Sequence, residues 1–307
     1  MKIELNDINQ KLMKNAHDYI VKTNAAYEQS LRRIAEDIKA NRESRPIILL
    51  SGPSGSGKTT SALMIEKMLD EQGVETHTLS LDNYFMSLTD EQKEQFAQGK
   101  LDLESPQRVD SEFLTEQLKK IYNCEPVDLP TYDFKESTRC FLGNTLTRKP
   151  GELVILEGIH SLNPDIINIS DEHTARIYVS VRTRIVQDGK ILHPSKIRLM
   201  RRLVRDYLFR KRSFTDTLMM FRSVEEGENK YIMPYKHRST YDVNTFMAYE
   251  ICAYRSFLIE AFRELAPKNS LVKEMLGFLE QAVTLDTEEI TPDSLVCEFV
   301  GNGQFNY

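Results

Sequence analysis

The sequence predicts an α/β protein in which a parallel sheet is flanked by helices, and three observations lead to that prediction. Ile47 to Leu50 form a short apolar run, typical of a buried strand, which leads directly into a glycine-rich turn. The helix-compatible run from Thr60 to Leu69 follows that turn, so strand, loop and helix occur in the order of a βα unit. Further strand-like apolar runs at 75–81, 153–158 and 175–181 are separated by helical patterns.

The glycine-rich turn matches the spacing G-x-x-x-x-G-K-[ST] of a P-loop. Its glycines let backbone N–H groups point inward around a phosphate, and the next helix adds the positive end of its dipole. We expect Lys58 to reach the β- and γ-phosphates and the Thr59 hydroxyl to ligate Mg²⁺. A simple Gly/Ser turn is the alternative, but the order of elements favours a nucleoside triphosphate site. Its expected residues are Gly52, Pro53, Ser54, Gly55, Ser56, Gly57, Lys58, Thr59 and Thr60.

Composition narrows the class of protein. The 307 residues are 40% hydrophobic and 28% charged, as in an ordinary globular protein. The formal charge of −6 argues against a nucleic-acid partner, and the four cysteines lack the C-x-x-C spacing of a zinc site. The sequence has no apolar run near the roughly 20 residues of a membrane span, and its N-terminus lacks the apolar core of a signal peptide. A cytoplasmic protein with no membrane partner is expected.

Three segments are predicted along the chain. Residues 1–45 read as an N-terminal helical extension, because apolar residues recur near helical spacing from about Asp7 to Asn41. Residues 46–245 form the core, with a lid at about 185–215. Residues 246–307 form a C-terminal helical region and tail. The extension carries no catalytic motif, so a structural role or a contact in a homo-oligomer is expected for it.

Two acidic residues follow predicted strands. The strand at 75–81 delivers Asp82 to its carboxyl end, where open α/β sheets bind ligands. Asp82 could instead cap the next helix, but its position favours contact with a substrate hydroxyl, and Phe85 could supply ring surface for a base. The strand at 153–158 ends at Glu157, which suits an acid that holds Mg²⁺ or its water. An acid that faces solvent is the alternative at Glu157.

A basic segment runs from Lys196 to Arg212, where eight basic residues and one acid give a local formal charge of +7. At 100° per residue, one helix face carries arginines and another is apolar. A solvated face and a nucleic-acid-binding helix are the alternatives. Beside a P-loop we predict a mobile lid over the phosphates, loosened in the empty site by repulsion between like charges. The arginines of that face are Arg198, Arg201, Arg202 and Arg205.

These stretches carry a family resemblance. The chain resembles the uridine kinase group of P-loop kinases, related to phosphoribulokinase, and more closely the kinase half of longer bacterial nucleoside or uridine kinase-like proteins with a TGS domain in front. The resemblance covers most of the chain from Ile47 to Gly301. The matching stretches, in order, are GPSGSGKTT, SLDNYF, LESPQRVD, LPTYDFKESTR, LVILEGIHSLNP, RRLVRDYLFRKRS, SVEEGENKYIMPYK and SLVCEFVG.

The resemblance implies site roles residue by residue. Asp82 matches the general base for the nucleoside 5′-hydroxyl, and Glu104 and Arg202 match groups that fix the sugar. The base pocket should include Tyr132 and Phe134. Lid arginines that close over the phosphates are matched by Arg205, Arg210 and Arg212, which with Lys58 and Asp82 form the predicted catalytic set. Two departures concern the acceptor: Ser137 replaces a family histidine, although Arg139 is retained, and Phe85 replaces a tyrosine.

The predicted reaction is Mg²⁺-dependent transfer of the γ-phosphoryl group of ATP or GTP to a hydroxyl, foremost the 5′-hydroxyl of a nucleoside. A related kinase of another small hydroxyl acceptor, such as a sugar phosphate or a pantothenate-like alcohol, is one alternative. A nucleotide-dependent regulatory protein with little turnover is the other. Retention of Asp82 together with Lys58 and the lid arginines argues against the regulatory protein, because a sensor needs no acid on the acceptor side.

Overall fold

The computed structural model describes residues 1–98 and 100–306. Its strands are β1 (Lys2–Glu4), β2 (Ile47–Ser51), β3 (Thr76–Ser80), β4 (Val127–Asp133), β5 (Thr138–Leu146), β6 (Leu153–Glu157), β7 (Thr174–Ser180), β8 (Arg184–Gln187), β9 (Lys190–Leu192) and β10 (Tyr241–Asn244). Its α-helices are α1 (Leu5–Ala40), α2 (Lys58–Asp70), α3 (Asp90–Ala97), α4 (Ser111–Tyr122), α5 (Pro194–Phe209), α6 (Phe214–Gly227), α7 (Glu250–Leu265), α8 (Ser270–Leu279) and α9 (Cys297–Val300).

The central sheet confirms the predicted fold class. In the described part of the chain, five parallel strands are ordered β10, β7, β2, β6 and β3. Glu157 of β6 is paired in register with Leu50 of β2 and with Ser80 of β3. The carboxyl ends of these three strands therefore lie side by side, which places the P-loop next to the residues that follow β3 and β6.

Both faces of the sheet are covered. Ile48 and Leu50 of β2 belong to a cluster that α1, α2, α5, α7 and α8 share, whereas Ile47 and Leu49 belong to a second cluster with α4 and β4. This alternation follows from the period of two in a strand. Because each face is buried by helices, the strands are apolar on both sides, as parallel strands usually are.

The two ends of the chain pack on the same core. Helix α1 leaves helical geometry at Asn15 and packs against α2 and β10. Buried polar contacts join it to distant segments: Asn9 donates to the Gln281 carbonyl at 2.8 Å, and the Tyr27 hydroxyl lies 2.7 Å from the Ser61 hydroxyl of α2. The N-terminal helix is therefore fixed against the helix that follows the P-loop.

In the part of the chain that the structure describes, two smaller sheets flank the core. Strands β4 and β5 form an antiparallel hairpin, while β1 pairs in parallel with β8 and β8 pairs with β9. The second of these sheets was not predicted, because residues 183–194 have no regular alternation. Within the described ranges, no helix combines the length and the apolar character that crossing a bilayer requires.

Candidate active site

The P-loop is shaped by glycines that no other residue could replace without a clash or strain. A Cβ at Gly52 would collide with the Val179 carbonyl of β7. Gly57 has φ of +83° and is the N-cap of α2, and a Cβ there would lie 2.6 Å from Leu295 Cδ1. The loop is thus held tightly between the sheet and the C-terminal segment, with Lys58 and Thr59 in the first turn of α2.

Polar groups without partners surround this loop, as a phosphate site requires. The buried Ser56 Oγ and Arg202 Nε have no hydrogen-bond partner among the described residues. A phosphate group would supply acceptor oxygens to both, and the N–H groups at the start of α2 would add further donors. The residues present therefore fit a triphosphate.

Asp82 and Glu157 meet beside Lys58 at the carboxyl ends of β3 and β6. Burial raises the pKa of Asp82, and the charges of Lys58, Arg108 and Arg210 oppose that rise. Burial raises the pKa of Glu157 to about 7, with a further contribution from Asp82. Ser80 Oγ donates to Glu157 Oε1 at 3.1 Å. The two predicted acids and the P-loop cation are thus brought into one site.

Glu104 lies at the same site, close to Arg202 and His160. Burial raises the pKa of Glu104, while the charges of Arg202 and Lys58 act to lower it. Arg202 also donates to Ser54 Oγ, so its guanidinium lies between the P-loop and Glu104. Burial lowers the pKa of Arg202 to about 10, with a contribution from the charge of Arg205.

His160 contacts the backbone of Glu104 and is buried, with 1% of its surface exposed. Its Nε2 donates to the Glu104 carbonyl at 2.9 Å, and burial lowers its pKa to about 4. The folded protein therefore binds fewer protons than the unfolded chain between pH 6.5 and 4, so His160 lowers stability as the pH falls through that range. With an unfolded pKa of about 6.5, the loss reaches about 2 kcal/mol by pH 5.

We expect His160→Gln to remove this pH dependence, since glutamine can donate to the Glu104 carbonyl but does not take up a proton. Denaturant unfolding at pH 7.5 and pH 5 should show a smaller loss of stability in the variant than in the wild type. His17→Gln, at an exposed position of α1, is the control and should follow the wild type. Identical pH dependence in all three proteins would contradict a buried neutral histidine.

Aromatic rings lead from Asp82 toward the β4–β5 hairpin. The Arg108 guanidinium lies 4.3 Å from the Phe85 ring centroid, and the Phe85 ring meets Tyr132 edge-on at 5.6 Å. Phe134 contacts Tyr132 at 5.1 Å but is 64% exposed. Phe85 and Tyr132 therefore form a buried wall, whereas Phe134 lies at its open end.

The hairpin residues singled out by the sequence have other contacts in this structure. Ser137 has φ of +54° in the turn between β4 and β5, and its carbonyl accepts from the Leu88 N–H at 3.0 Å. Arg139 Nη2 donates to Asp110 at 2.9 Å, and its guanidinium stacks over Phe113. That Ser137 and Arg139 contact the substrate stays a prediction.

The arginines on this face of α5 have partners within the chain. Carboxylates pair with Arg198, Arg201 and Arg205, and the Ser54 hydroxyl accepts from Arg202, so like charges on this face are largely offset. The mobile lid stays a prediction. Arg198 pairs with Glu228 at 2.6 Å and donates to the Ser54 carbonyl at 3.0 Å. Arg201 is fully buried, pairs with the buried Glu250 through two contacts at 2.6 and 3.0 Å, and donates to the Gly55 carbonyl. Helix α5 is therefore a packed wall of the P-loop.

We expect Arg201→Met to destabilise the free protein by about 3–5 kcal/mol, because it leaves the Glu250 charge buried and unpaired. Chemical denaturation measures the change. The matched control is Lys22→Met, which breaks an exposed pair with Asp18 and should cost less than about 1 kcal/mol. Adding Glu250→Gln to Arg201→Met should recover part of the loss, and a further loss of similar size would contradict the explanation.

The other predicted arginines converge on Asp206 at the end of α5. This carboxylate is fully buried and accepts from Arg205 at 2.7 and 3.0 Å and from Arg212 at 3.4 Å, with Arg210 3.6 Å away. Burial would raise the pKa of Asp206, but the charge of Arg205 and its hydrogen bonds hold it below the ordinary value. Asp206 therefore holds Arg205, Arg210 and Arg212, all predicted to be catalytic, close together at the end of α5.

Four residues of this site have no predicted role: Ser80, Arg108, His160 and Asp206. All four lie in stretches that were matched to the family, and Asp206 is also the single acid in the basic segment. The structure adds the contacts of His160 with the Glu104 carbonyl and of Ser80 with Glu157.

Comparison with known proteins gives matches over this same region. Residues 47–248 match the family model described as the phosphoribulokinase / uridine kinase family. A uridine kinase from Lactobacillus helveticus is 32% identical over 195 residues, which cover 62% of this chain and 83% of that protein. A uridine kinase from Ligilactobacillus salivarius is 32% identical over 200 residues, which cover 64% and 84%.

A solved structure shares the fold. It is named provisionally as a fructose transport system kinase from Silicibacter sp. TM1040, and it superposes with a TM-score of 0.54 at 17% identity. The match covers 69% of this chain and 98% of that one. At this identity the likeness shows the fold alone.

Proposed function

The chain belongs to the phosphoribulokinase / uridine kinase family, and from that premise we propose that it transfers the γ-phosphoryl group of ATP to the 5′-hydroxyl of a nucleoside. The observation that carries the proposal is the position of Asp82, a recessed carboxylate within electrostatic reach of Lys58, Arg108 and Arg210. A kinase needs an acid on the acceptor side next to the cations that bind the transferring group.

The donor side is assigned to the P-loop. Lys58 neutralises charge on the β- and γ-phosphates, and Ser56, Arg202 and the start of α2 supply donors. In phosphoryl transfer the transition state is loose, so positioning and charge neutralisation contribute more than base strength. The arginines that Asp206 holds at the end of α5 would add further positive charge, since the charge of Arg210 already acts on Asp82.

Mg²⁺ would be held by the Thr59 hydroxyl, the nucleotide phosphates and Glu157, directly or through water. Among residues 1–98 and 100–306, no group of three or more His, Cys, Asp or Glu side chains could hold a metal by itself. Mg²⁺ usually binds through one or two carboxylates together with substrate phosphates. The bound cation would neutralise charge on the transferring group and favour the ionised form of Glu157.

The acceptor would bind between Asp82, Glu104 and the aromatic wall of Phe85 and Tyr132. Asp82 would orient the 5′-hydroxyl and take its proton late in the transfer. Its raised pKa brings it closer to the operating pH, which improves proton acceptance. The Glu104 carboxylate can accept hydrogen bonds from ribose hydroxyls, and the rings can pack on a base.

A product assay tests the proposal. The protein is incubated with Mg²⁺ and either ATP or GTP, together with uridine, cytidine, adenosine, guanosine or a sugar phosphate, and the products are separated by chromatography. We expect a nucleoside 5′-monophosphate from at least one nucleoside. Phosphorylation of the sugar phosphate alone, or nucleotide binding without any product, would overturn the assignment.

A further inference from the structure

The C-terminal segment, residues 294–301, lies against the start of helix α2. Glu298 Oε2 accepts hydrogen bonds from the Thr60 backbone N–H at 3.2 Å and from the Thr60 hydroxyl at 2.5 Å. Leu295 packs on Gly57, and the Arg201 guanidinium lies 5.1 Å from the Phe299 ring centroid. A carboxylate from the far end of the chain is therefore bound at the P-loop.

The Thr60 N–H belongs to the group of donors that a P-loop uses for phosphates. Helix α2 begins at Lys58 and has Gly57 as its N-cap, which supplies no side-chain acceptor for the first turn. In P-loops these first-turn N–H groups bind the α- and β-phosphates, and the helix dipole favours an anion there. Glu298 provides such an anion from within the chain.

The segment that carries Glu298 is buried, whereas the Glu298 side chain is only partly buried and is held by its two hydrogen bonds to Thr60. Leu295, Val296 and Phe299 have no exposed surface, and Cys297 is 2% exposed, whereas Glu298 is half-buried. A change of side-chain rotamer could therefore release the carboxylate from Thr60 while the segment stays in place. Release of Thr60 therefore needs movement of the Glu298 side chain alone and not of the whole segment.

We propose that Glu298 competes with the α-phosphate of the donor nucleotide for Thr60 and so sets the affinity of the enzyme for its donor. The carboxylate binds Thr60 in the free enzyme and leaves it when nucleotide binds. Because the competent state is only a fraction of the free enzyme, the apparent Kd is raised by the inverse of that fraction. This inference rests on the proposed function, namely that the P-loop binds the donor.

Two variants separate competition at Thr60 from general charge repulsion. Glu298→Gln keeps the shape but removes the charge, so its hydrogen bonds to Thr60 are weaker. Glu298→Asp keeps the charge but shortens the reach by one methylene. If the carboxylate competes at Thr60, both variants should bind ATP and ADP more tightly, by about fivefold or more in titration calorimetry. The KM for ATP should fall in both, while the KM for the acceptor stays unchanged.

The matched control is Glu289→Gln, which removes an exposed carboxylate from the same C-terminal region and should bind nucleotide like the wild type. Weaker ATP binding in Glu298→Gln would overturn the inference and mean that Glu298 helps to hold the nucleotide. Wild-type affinity in Glu298→Asp with tighter binding in Glu298→Gln would also overturn it, in favour of general repulsion. If the wild type bound neither ATP nor ADP, the proposed function itself would fail, and the inference with it.

Discussion

Lys58→Ala should lower the rate of phosphoryl transfer by about 10²–10³-fold. This is the typical loss when an enzyme loses one hydrogen-bond donor that stabilises charge in the transition state. The Nζ of Lys58 lies 3.5 Å from the Pro53 carbonyl oxygen, a long hydrogen bond that a phosphate can replace. Its charge acts to lower the pKa of Asp82, Glu104 and Glu157, so it lies within electrostatic reach of all three acids. Steady-state turnover with saturating acceptor measures the effect.

Lys67→Ala is the matched control for this substitution. Lys67 lies on the same helix and donates to Gln304 at the surface, so its removal should leave turnover near the wild-type value. Turnover of Lys58→Ala equal to that of the control would contradict the assignment of 52–60 as the donor site. The loss should also appear with every acceptor, because it concerns the transferring group and not the recognition of the acceptor.

Asp82→Asn should reduce phosphoryl transfer by at least about 10²-fold, the low end for removal of a positioned acid or base. Asparagine keeps the shape of the side chain but cannot take the hydroxyl proton. ATP binding should remain close to the wild type, because removal of a carboxylate beside Lys58 does not remove a phosphate ligand. Single-turnover kinetics and titration calorimetry measure the two quantities on the same preparation.

Asp90→Asn, at an exposed position of α3, is the matched control for Asp82→Asn and should leave both quantities unchanged. A collapse of ATP affinity in Asp82→Asn would place Asp82 with the Mg²⁺ ligands instead of the acceptor. Another acid near the acceptor, such as Glu104, would then have to accept the proton. The pair of measurements thus decides between two roles for one carboxylate.

Local patterns predicted a large part of this protein. The fold class, the family and the enzyme class are confirmed, and each followed from short stretches of sequence. Each of these patterns spans only a few residues. They are the apolar run at Ile47 to Leu50, the glycine spacing after it and the acids at the ends of later strands. Parallel strands then place Asp82 and Glu157 at one edge without further information, since their carboxyl ends share a side of the sheet.

Only the tertiary structure decided which groups meet across long separations. Helical spacing indicated an arginine face on α5, but not that Glu228 and Glu250 would pair with Arg198 and Arg201. Likewise, Glu298 reaches Thr60 over 238 positions, and residues 2–4 add a strand to residues 184–192. The physical reason is the same in each case: a periodic pattern indicates what a face presents, whereas the partner of that face depends on the path of the whole chain.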